Sequence, residues 1–514
     1  MTVAIEPTDP RISFIGAVST ADQKELAAIL ATTRVIITAE QPILTTATGQ
    51  IVVYQLSTLA MRLFDRVELE GDEAVPTSPA LPPLGGPFLA AVRHTCATLR
   101  PTTPEPPVAT IRIRVGDGPA DAMLYVGATA WSALLSPAAP QPITSSPTPV
   151  GALAAGTLAA AELFKLAFAG RVVPAVVGHG YALSLLKYAA SVGDVPLPAP
   201  SLSLDVVLYG AGSIGTGFAH ALALAPQFAG RLVVVDNGVF DGKNPYKYSL
   251  LDWETACAGP YKAPWLARRL RQLSAGRLRA TGMVGTAEEY VASLPHDYHI
   301  PLAVAAVDTY EARLEIQDTL PQRILNAGIA GTTAEVSVHG FGDGPCLCCL
   351  CLDAELESWQ AGPIANAVGL DAGRAHELIR GNLPMKWEDL DHIRAAGRLP
   401  AAVFATLDSF LGQPLLSLWN RAAYSEAAMR ASTPGGVPLV STAFVSAFAG
   451  VLLLAELYKA ADPALAAYAV DNSYRHDLLG VPAENVFRYE RDPRGWCLCH
   501  SGFRLDFYVE KYGS

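Results

Sequence analysis

Six of the eight cysteines fall in two tight clusters, "GPCLCCLC" with Cys346, Cys348, Cys349 and Cys351, and "GWCLCHSG" with Cys497, Cys499 and His500. A C-x-x-C pair is a tight turn that aims two thiolates at one tetrahedral ion, and two such pairs distant in sequence make a clamp. The expected ion is zinc, in a structural role because protein groups would fill all four positions. Cys346 and Cys349 keep the spacing in the first cluster. In the second, spacing selects Cys497 and His500, while thiolate preference offers Cys499 in place of His500; a Cys3His site is expected. The plainer alternative is a set of thiols packed as small apolar groups.

A second constellation begins at "VVLYGAGSIG", which places Gly210, Gly212 and Gly215 in GxGxxG spacing behind an apolar run. The first glycine permits a tight turn, the second admits phosphate to the backbone, and the third lets helix pack on strand. A helix-like stretch comes next, and "RLVVVD" ends at Asp236, at the distance expected for an acid that binds ribose hydroxyls. On these four residues alone the reading would be a dinucleotide and hydride transfer. The residues beyond Asp236 favour a triphosphate. Asn244 and Lys247 come a short loop later, Lys262 stands near the start of the helix "KAPWLARRL", and a further strand, "LAVAAVD", ends at Asp308. Strand C-terminal ends converge on one edge of a doubly wound sheet. Lysines there neutralise charge moving toward a leaving pyrophosphate, and a carboxylate holds magnesium through oxygen. Each residue also has a plain reading: Lys247 as a solvated loop lysine, Asn244 as a turn residue, Lys262 as part of a basic helix face, Asp308 as a helix cap.

This segment resembles the adenylating half of the ubiquitin-activating enzyme family, the superfamily that includes ThiF-type adenylyltransferases of sulfur carriers and a microcin-activating relative. The resemblance implies that Asp236 takes the ribose, Asn244 the phosphate region, and Lys262 the role of catalytic lysine. It implies Asp308 for magnesium and Arg313 of "VDTYEAR" as a structural arginine. Lys247 falls where the family usually has arginine, and Thr309 where it has asparagine. A lysine cannot make the bidentate fork of an arginine, so these departures bear on catalytic competence rather than on ATP binding. The implied activity is adenylation of the C-terminal carboxylate of a small ubiquitin-like or sulfur-carrier protein, or a peptide, ending in glycine. A downstream conjugating enzyme is the implied second partner. Thioester-forming relatives place a cysteine between the two clusters, but Leu352 to Arg494 contains none. Cys348, Cys351, Cys257 and Cys96 remain. Two other classes stay open: an inactive scaffold that binds a ubiquitin-like protein, and an NAD(P)-dependent oxidoreductase.

The elements that must position these groups can be sketched from composition. The chain has 514 residues, half of them apolar, and a net charge of −11 without a long basic run, which disfavours nucleic acid as a partner. The N-terminal stretch lacks the charged head and apolar core of a secretory signal, and the cysteine usage fits a reducing, cytoplasmic setting. "VPLVSTAFVSAFAGVLLLA", from Val437 to Ala455, is long enough to suggest a membrane span but is expected to be a buried helix. Pro-rich stretches fill 71–150 and precede residue 200. Ser145 to Gly170 and Ser432 to Ala461 echo one another, each a Pro-containing turn, a small-residue helix, and Glu-Leu-aromatic-Lys. Upstream, "ILTTATGQIVVYQLSTLAMRLFDRVELEGD" has a strand–turn–helix–strand rhythm with most glycines gone. The expected architecture is α/β: a doubly wound, Rossmann-like adenylation domain with a zinc clamp and helical insertion, preceded by a degenerate copy of itself. The expected boundaries are 1–200 for the inactive copy, 201–345 for the nucleotide-binding part, 346–434 for the crossover and insertion, and 435–514 for the C-terminal part. One chain would thus be a pseudo-dimer, or two would form a homodimer.

Overall fold

The computed structural model describes residue 11 and residues 23–81, 84–119, 121–170, 180–190, 196–342, 344–351, 364–366, 368–380, 383–399, 401–415, 417–418, 442–480, 485–493, 495 and 497–513. Two compact units emerge, one of residues 28–348 with 441–514 and one of residues 1–27 with 349–440.

The larger unit contains two runs of α/β structure. The first is β1 (Thr33–Ala39), α1 (Ala47–Leu63), β2 (Arg66–Glu70), α2 (Phe88–Leu99), β3 (Ala109–Val115), β4 (Leu124–Ala128), β5 (Ser132–Ser136), α3 (Val150–Ala167) and β6 (Tyr181–Ser184). The second opens with β7 (Leu202–Tyr209), α4 (Ser213–Ala223), β8 (Phe228–Val235), α5 (Trp253–Ala258), α6 (Lys262–Leu273) and β9 (Leu278–Met283). It continues through α7 (Ala287–Ala292), β10 (Leu302–Ala305), α8 (Tyr310–Asp318), β11 (Ile324–Ala330) and β12 (Thr333–His339). Helices α9 (Ala372–Arg380) and α10 (Trp387–Ala396) belong to the smaller unit. The larger unit then resumes with α11 (Ala443–Ala461), β13 (Ser473–Asp477), β14 (Val486–Phe487) and α12 (Gly502–Tyr512).

The sheets have the orders β2-β1-β3-β4-β5-β6 and β14-β13-β12-β11-β10-β7-β8-β9. In the first, β1 to β4 are mutually parallel and β5 and β6 run antiparallel. In the second, β7 to β11 are parallel and β12 to β14 antiparallel. Strand for strand, β1-β2-β3-β4-β5-β6 has the pairing and sense of β7-β8-β10-β11-β12-β13. The strand of the first run lies at Thr33–Ala39, upstream of the stretch beginning "ILTT"; that stretch is a short helix, Gln41–Leu44, followed by α1 and β2. Its Pro42 sits in the first turn of that short helix, where a missing N–H costs nothing.

Helices α1 and α3 pack together against the first sheet, α4 packs on α11, which lies against the second, and α3 and α11 are also in contact. These four helices are rich in small residues, so their backbones approach closely. A Cβ on Gly450 of α11 would lie 2.3 Å from the carbonyl carbon of Gly217 in α4, and one on Gly156 of α3 would lie 2.9 Å from the Val52 carbonyl oxygen of α1. Helices α3 and α11 are long and apolar enough to cross a bilayer, yet 89% and 94% of those windows are buried inside the protein. Each ends with a buried pair from its Glu-Leu-aromatic-Lys sequence: Glu162 with Lys165, and Glu456 with Lys459 at 2.6 Å. A tyrosine hydroxyl donates to each acid, Tyr181 at 3.3 Å and Tyr188 at 2.5 Å, so neither carboxylate is left with a lysine alone.

The smaller unit has its own apolar cluster, including Val368, Leu378, Leu390 and Leu407. Arg374 of α9 makes a forked contact at 2.7 and 3.0 Å with Asp389 of α10, whose carboxylate also accepts from the Lys386 N–H. The guanidinium beside it holds the Asp389 carboxyl below its usual range. Of the expected helical insertion, residues 352–363 and 419–434 lie outside the described residues.

Candidate nucleotide site and cysteine cluster

The loop from β7 to α4 sits at the carboxyl edge of the second sheet's parallel strands. Gly210 has φ +94°, a conformation open to glycine, and a Cβ there would stand 2.5 Å from the Ala306 carbonyl oxygen. A Cβ on Gly215 would lie 2.0 Å from the carbonyl oxygen of Gly210, so the helix rests directly on the turn. Gly212 is different: it has room, its nearest neighbour being the Tyr248 hydroxyl at 3.9 Å. Gly212 is also the N-cap of α4 and supplies no capping side chain. The first N–H groups of a helix have no partners within the helix, and their dipole favours an anion. The equivalent helix of the first run, α1, is closed by its own chain: the Thr46 hydroxyl accepts from Gly49 N–H at 3.0 Å.

Asp236, one residue past β8, accepts from Ala211 N–H through Oδ2 and from Gly238 N–H through Oδ1, both at 2.7 Å. It thereby ties the glycine turn to the end of the neighbouring strand. A carboxylate has about four acceptor positions, which leaves capacity for ribose hydroxyls. Lys262 is the first residue of α6, and its N–H donates to the Gly238 carbonyl at 2.9 Å. Its ammonium lies 5.7 Å from the Tyr248 ring centre. A Cβ on Gly238 would meet Asp236 Oδ1 at 3.0 Å and Lys262 Nζ at 3.1 Å, so the acid and the lysine flank one point.

The loop after Asp236 turns through a short 3-10 segment, Asn244–Tyr246. Asn244 is buried, and its side-chain oxygen accepts from Asp241 N–H at 3.0 Å, a local turn role. Its backbone carbonyl accepts from both Lys247 and Tyr248 N–H. Burial lowers the pKa of Lys247, while the charges of Asp241 and Asp308 oppose the shift. Asp308 is exposed beyond the end of β10 and does not cap α8; Thr309 does, accepting from Ala312 N–H at 3.2 Å. Arg313 fixes this segment, donating to the carbonyls of Val307 at 2.7 Å and Thr309 at 3.1 Å and to Asn326 Oδ1 at 3.2 Å.

Cys346, Cys349, Cys497 and Cys499 are buried with their sulfurs within 4.8 Å of one another, and none is in a disulfide. In a tetrahedron with metal–sulfur bonds of about 2.3 Å, sulfurs stand about 3.8 Å apart, so this set fits a metal such as zinc. The fourth member is Cys499. His500 is exposed and stands outside the set, because the 3-10 turn Leu498–His500 points successive residues apart and buries Cys499. The Arg491 Nε donates to the Cys499 sulfur at 3.4 Å, and Cys497 N–H donates to Asp492 at 3.0 Å, contacts that orient the ligands from behind. Cys348 is buried beside this set, Cys96 is buried in α2, and Cys257 is exposed on α5.

Protein y4jF of Sinorhizobium fredii is 31% identical to this chain over 409 residues, covering 76% of this chain and 75% of y4jF. The chain belongs to the y4jF family. Residues 34–185, the first run, match the BilD N-terminal domain. Among solved structures, that of Escherichia coli MccB with MccA-N7isoASN is 13% identical, with a TM-score of 0.34 over 58% of this chain and 67% of that one. A second structure of Escherichia coli MccB is 18% identical, with a TM-score of 0.22 over 26% and 36% of the two chains.

In this member of the y4jF family, the site includes groups that spacing does not nominate. Tyr248 links Gly212 to Lys262 by lying near both. Gly238 leaves the space that Asp236 and Lys262 share. The "DNG" turn in the sequence is the available signal for Gly238; for Tyr248 there is only its place in the same loop.

Proposed function

We propose that this chain is an ATP-dependent adenylyltransferase that activates the C-terminal carboxylate of a small ubiquitin-like or sulfur-carrier protein, or of a peptide. One observation carries the reading: an uncapped helix N-terminus, Asp236 and Lys262 lie together at one glycine turn. The sequence resemblance to ubiquitin-activating enzymes supports it.

The chemistry asks little of the side chains. A substrate carboxylate is ionised at neutral pH and needs no side-chain base. Its oxygen bonds to the α-phosphorus while the α–β phosphoryl oxygen bond breaks, and the electron pair leaves with pyrophosphate. The amides at the start of α4 bind phosphate oxygens, and Asp236 orients the ribose. Lys262 and the half-buried Lys247 offset the charge gathering on the leaving group. Asp308 would hold magnesium, whose charge would serve the same end. The cysteine set would hold zinc as a structural pin. The product, an acyl adenylate, is then open to a thiol, amine or sulfur donor.

The same reading takes residues 1–200 as an inactive copy of the adenylation fold, joined to 201–345 and 435–514 around the insertion 346–434. Its support is the shared strand order of the two sheets, the paired Glu-x-x-Lys helices, and the Thr46 side chain that caps α1 where Gly212 leaves α4 uncapped. A reducing, cytoplasmic setting suits thiolate ligands.

The test is ATP–pyrophosphate exchange with a carrier protein ending in glycine. Lys262→Ala is expected to lower exchange by about 10²–10³-fold while ATP binding persists. Equal exchange in the variant would sink the assignment of Lys262, and a nicotinamide fluorescence change without exchange would sink the function.

A further inference from the structure

Arg62, near the end of α1 in the first run, is completely buried, yet its hydrogen-bond partners lie in the second run. It donates to the backbone carbonyls of Pro245, Ser249 at 3.0 Å and Leu251 at 3.3 Å. These carbonyls bracket Lys247 and Tyr248, and the Tyr248 ring centre lies 5.7 Å from the Lys262 ammonium. Burial lowers the Arg62 pKa to about 10, so it stays charged at neutral pH. Arg100 braces it from behind, donating to the carbonyls of Met61 and Phe64, both at 2.8 Å, and pairing with Asp65 at 2.6 Å. The Arg100 guanidinium also lies 6.0 Å from the ring centre of Tyr246 in the same loop. A planar fork can engage several carbonyls in fixed directions; a point-charge ammonium on a flexible stem cannot.

We propose that Arg62 is a positioning residue: by gripping the backbone on both sides of Lys247 and Tyr248, it lets the first run of the chain set how tightly the second holds a triphosphate. The inference rests on the nucleotide reading of the site. It gives the first run, whose own helix terminus is sealed, a task in the activity of its neighbour. Arg62 touches no ligand position, so its effect passes through the loop and falls on the phosphates rather than on the nucleoside.

The experiment measures binding of ATP with magnesium, and of adenosine, to the full-length protein and to Arg62→Lys and Arg62→Gln by calorimetry. Both variants are expected to lose at least about tenfold in ATP affinity and less than about twofold in adenosine affinity, since small misplacement of a binding group is costly while the nucleoside contacts persist. The ratio of the two affinities is independent of the folded fraction, so partial unfolding cannot imitate the result. Hydrogen exchange should quicken at the amides of residues 244–252 and not in the core of β7 and β8. An unchanged ATP-to-adenosine ratio in both variants would overturn the role of Arg62. Failure of the unmodified protein to bind ATP would instead overturn the nucleotide reading itself.

Discussion

Gly212 and Gly215 stand three residues apart in one turn, yet the structure assigns them separable consequences. At Gly212 an added methyl group meets only the Tyr248 hydroxyl at 3.9 Å, an ordinary contact, and φ −75° with ψ −157° suits alanine. Gly212→Ala should therefore leave folding intact, with an unfolding midpoint unchanged to within about 2 °C. The same methyl group occupies the space through which a phosphate oxygen must come to about 2.9 Å from the amides. ATP affinity should fall by about 10- to 100-fold, which is about 1.4–2.8 kcal/mol. At Gly215 the methyl group would sit 2.0 Å from the Gly210 carbonyl oxygen, so helix and turn must part by about 1 Å. Overpacking of that kind costs about 1–3 kcal/mol, and Gly215→Ala should lose stability as well as ATP binding. Thermal unfolding and calorimetric titration with magnesium ATP, run on both variants, separate the two outcomes. Undiminished ATP binding by Gly212→Ala would refute the claim that the open space over this glycine is where phosphate sits.

Two further outcomes concern the cysteine set and the buried histidines. Metal analysis of protein produced with zinc should find the ion retained in His500→Ala and lost in Cys499→Ser, with chelation lowering the unfolding midpoint of the unmodified protein; the reverse pattern would restore His500 as ligand. His220 and His476 are buried, and burial lowers each pKa from 6.5 to about 4. The unfolded chain then binds more protons between those values, so stability is full above about pH 6.5 and falls as pH drops toward 4, by up to about 3 kcal/mol for each histidine. Urea midpoints measured at pH 7.5, 6 and 5 should decline in that order, and a flat series would contradict the burial of both imidazoles.

The α/β character and the parallel strands around the glycine turn are legible because local signals coincide there: an apolar run, three spaced glycines, a helix of small residues and a second apolar run. The two Glu-Leu-aromatic-Lys sequences likewise announce helices, since each places an acid and a lysine one turn apart, and each ends in a buried pair. Other features depend on distant chain. The choice between Cys499 and His500 is made by a 3-10 turn of three residues, too short to leave a periodic signal. Arg62 lies more than 180 residues from the carbonyls it holds, and backbone carbonyls carry no sequence identity at all. The sequence pattern sets the first run's strand too late because "ILTTAT" is apolar and β-branched, whereas Pro42 and the turn after it commit the stretch to helix.

The close approach of Gly217 and Gly450 has a bearing on how the protein is made. Helix α4, behind the glycine turn, emerges from the ribosome more than 200 residues before α11, the helix that supports its back. Until that late segment arrives, the glycine-bearing face of α4 has nothing to lie against, and the matching faces of α1 and α3 are only half covered. A nascent chain arrested within the insertion would display this unfinished surface to chaperones, and the glycine turn would be properly backed only once α11 had been made.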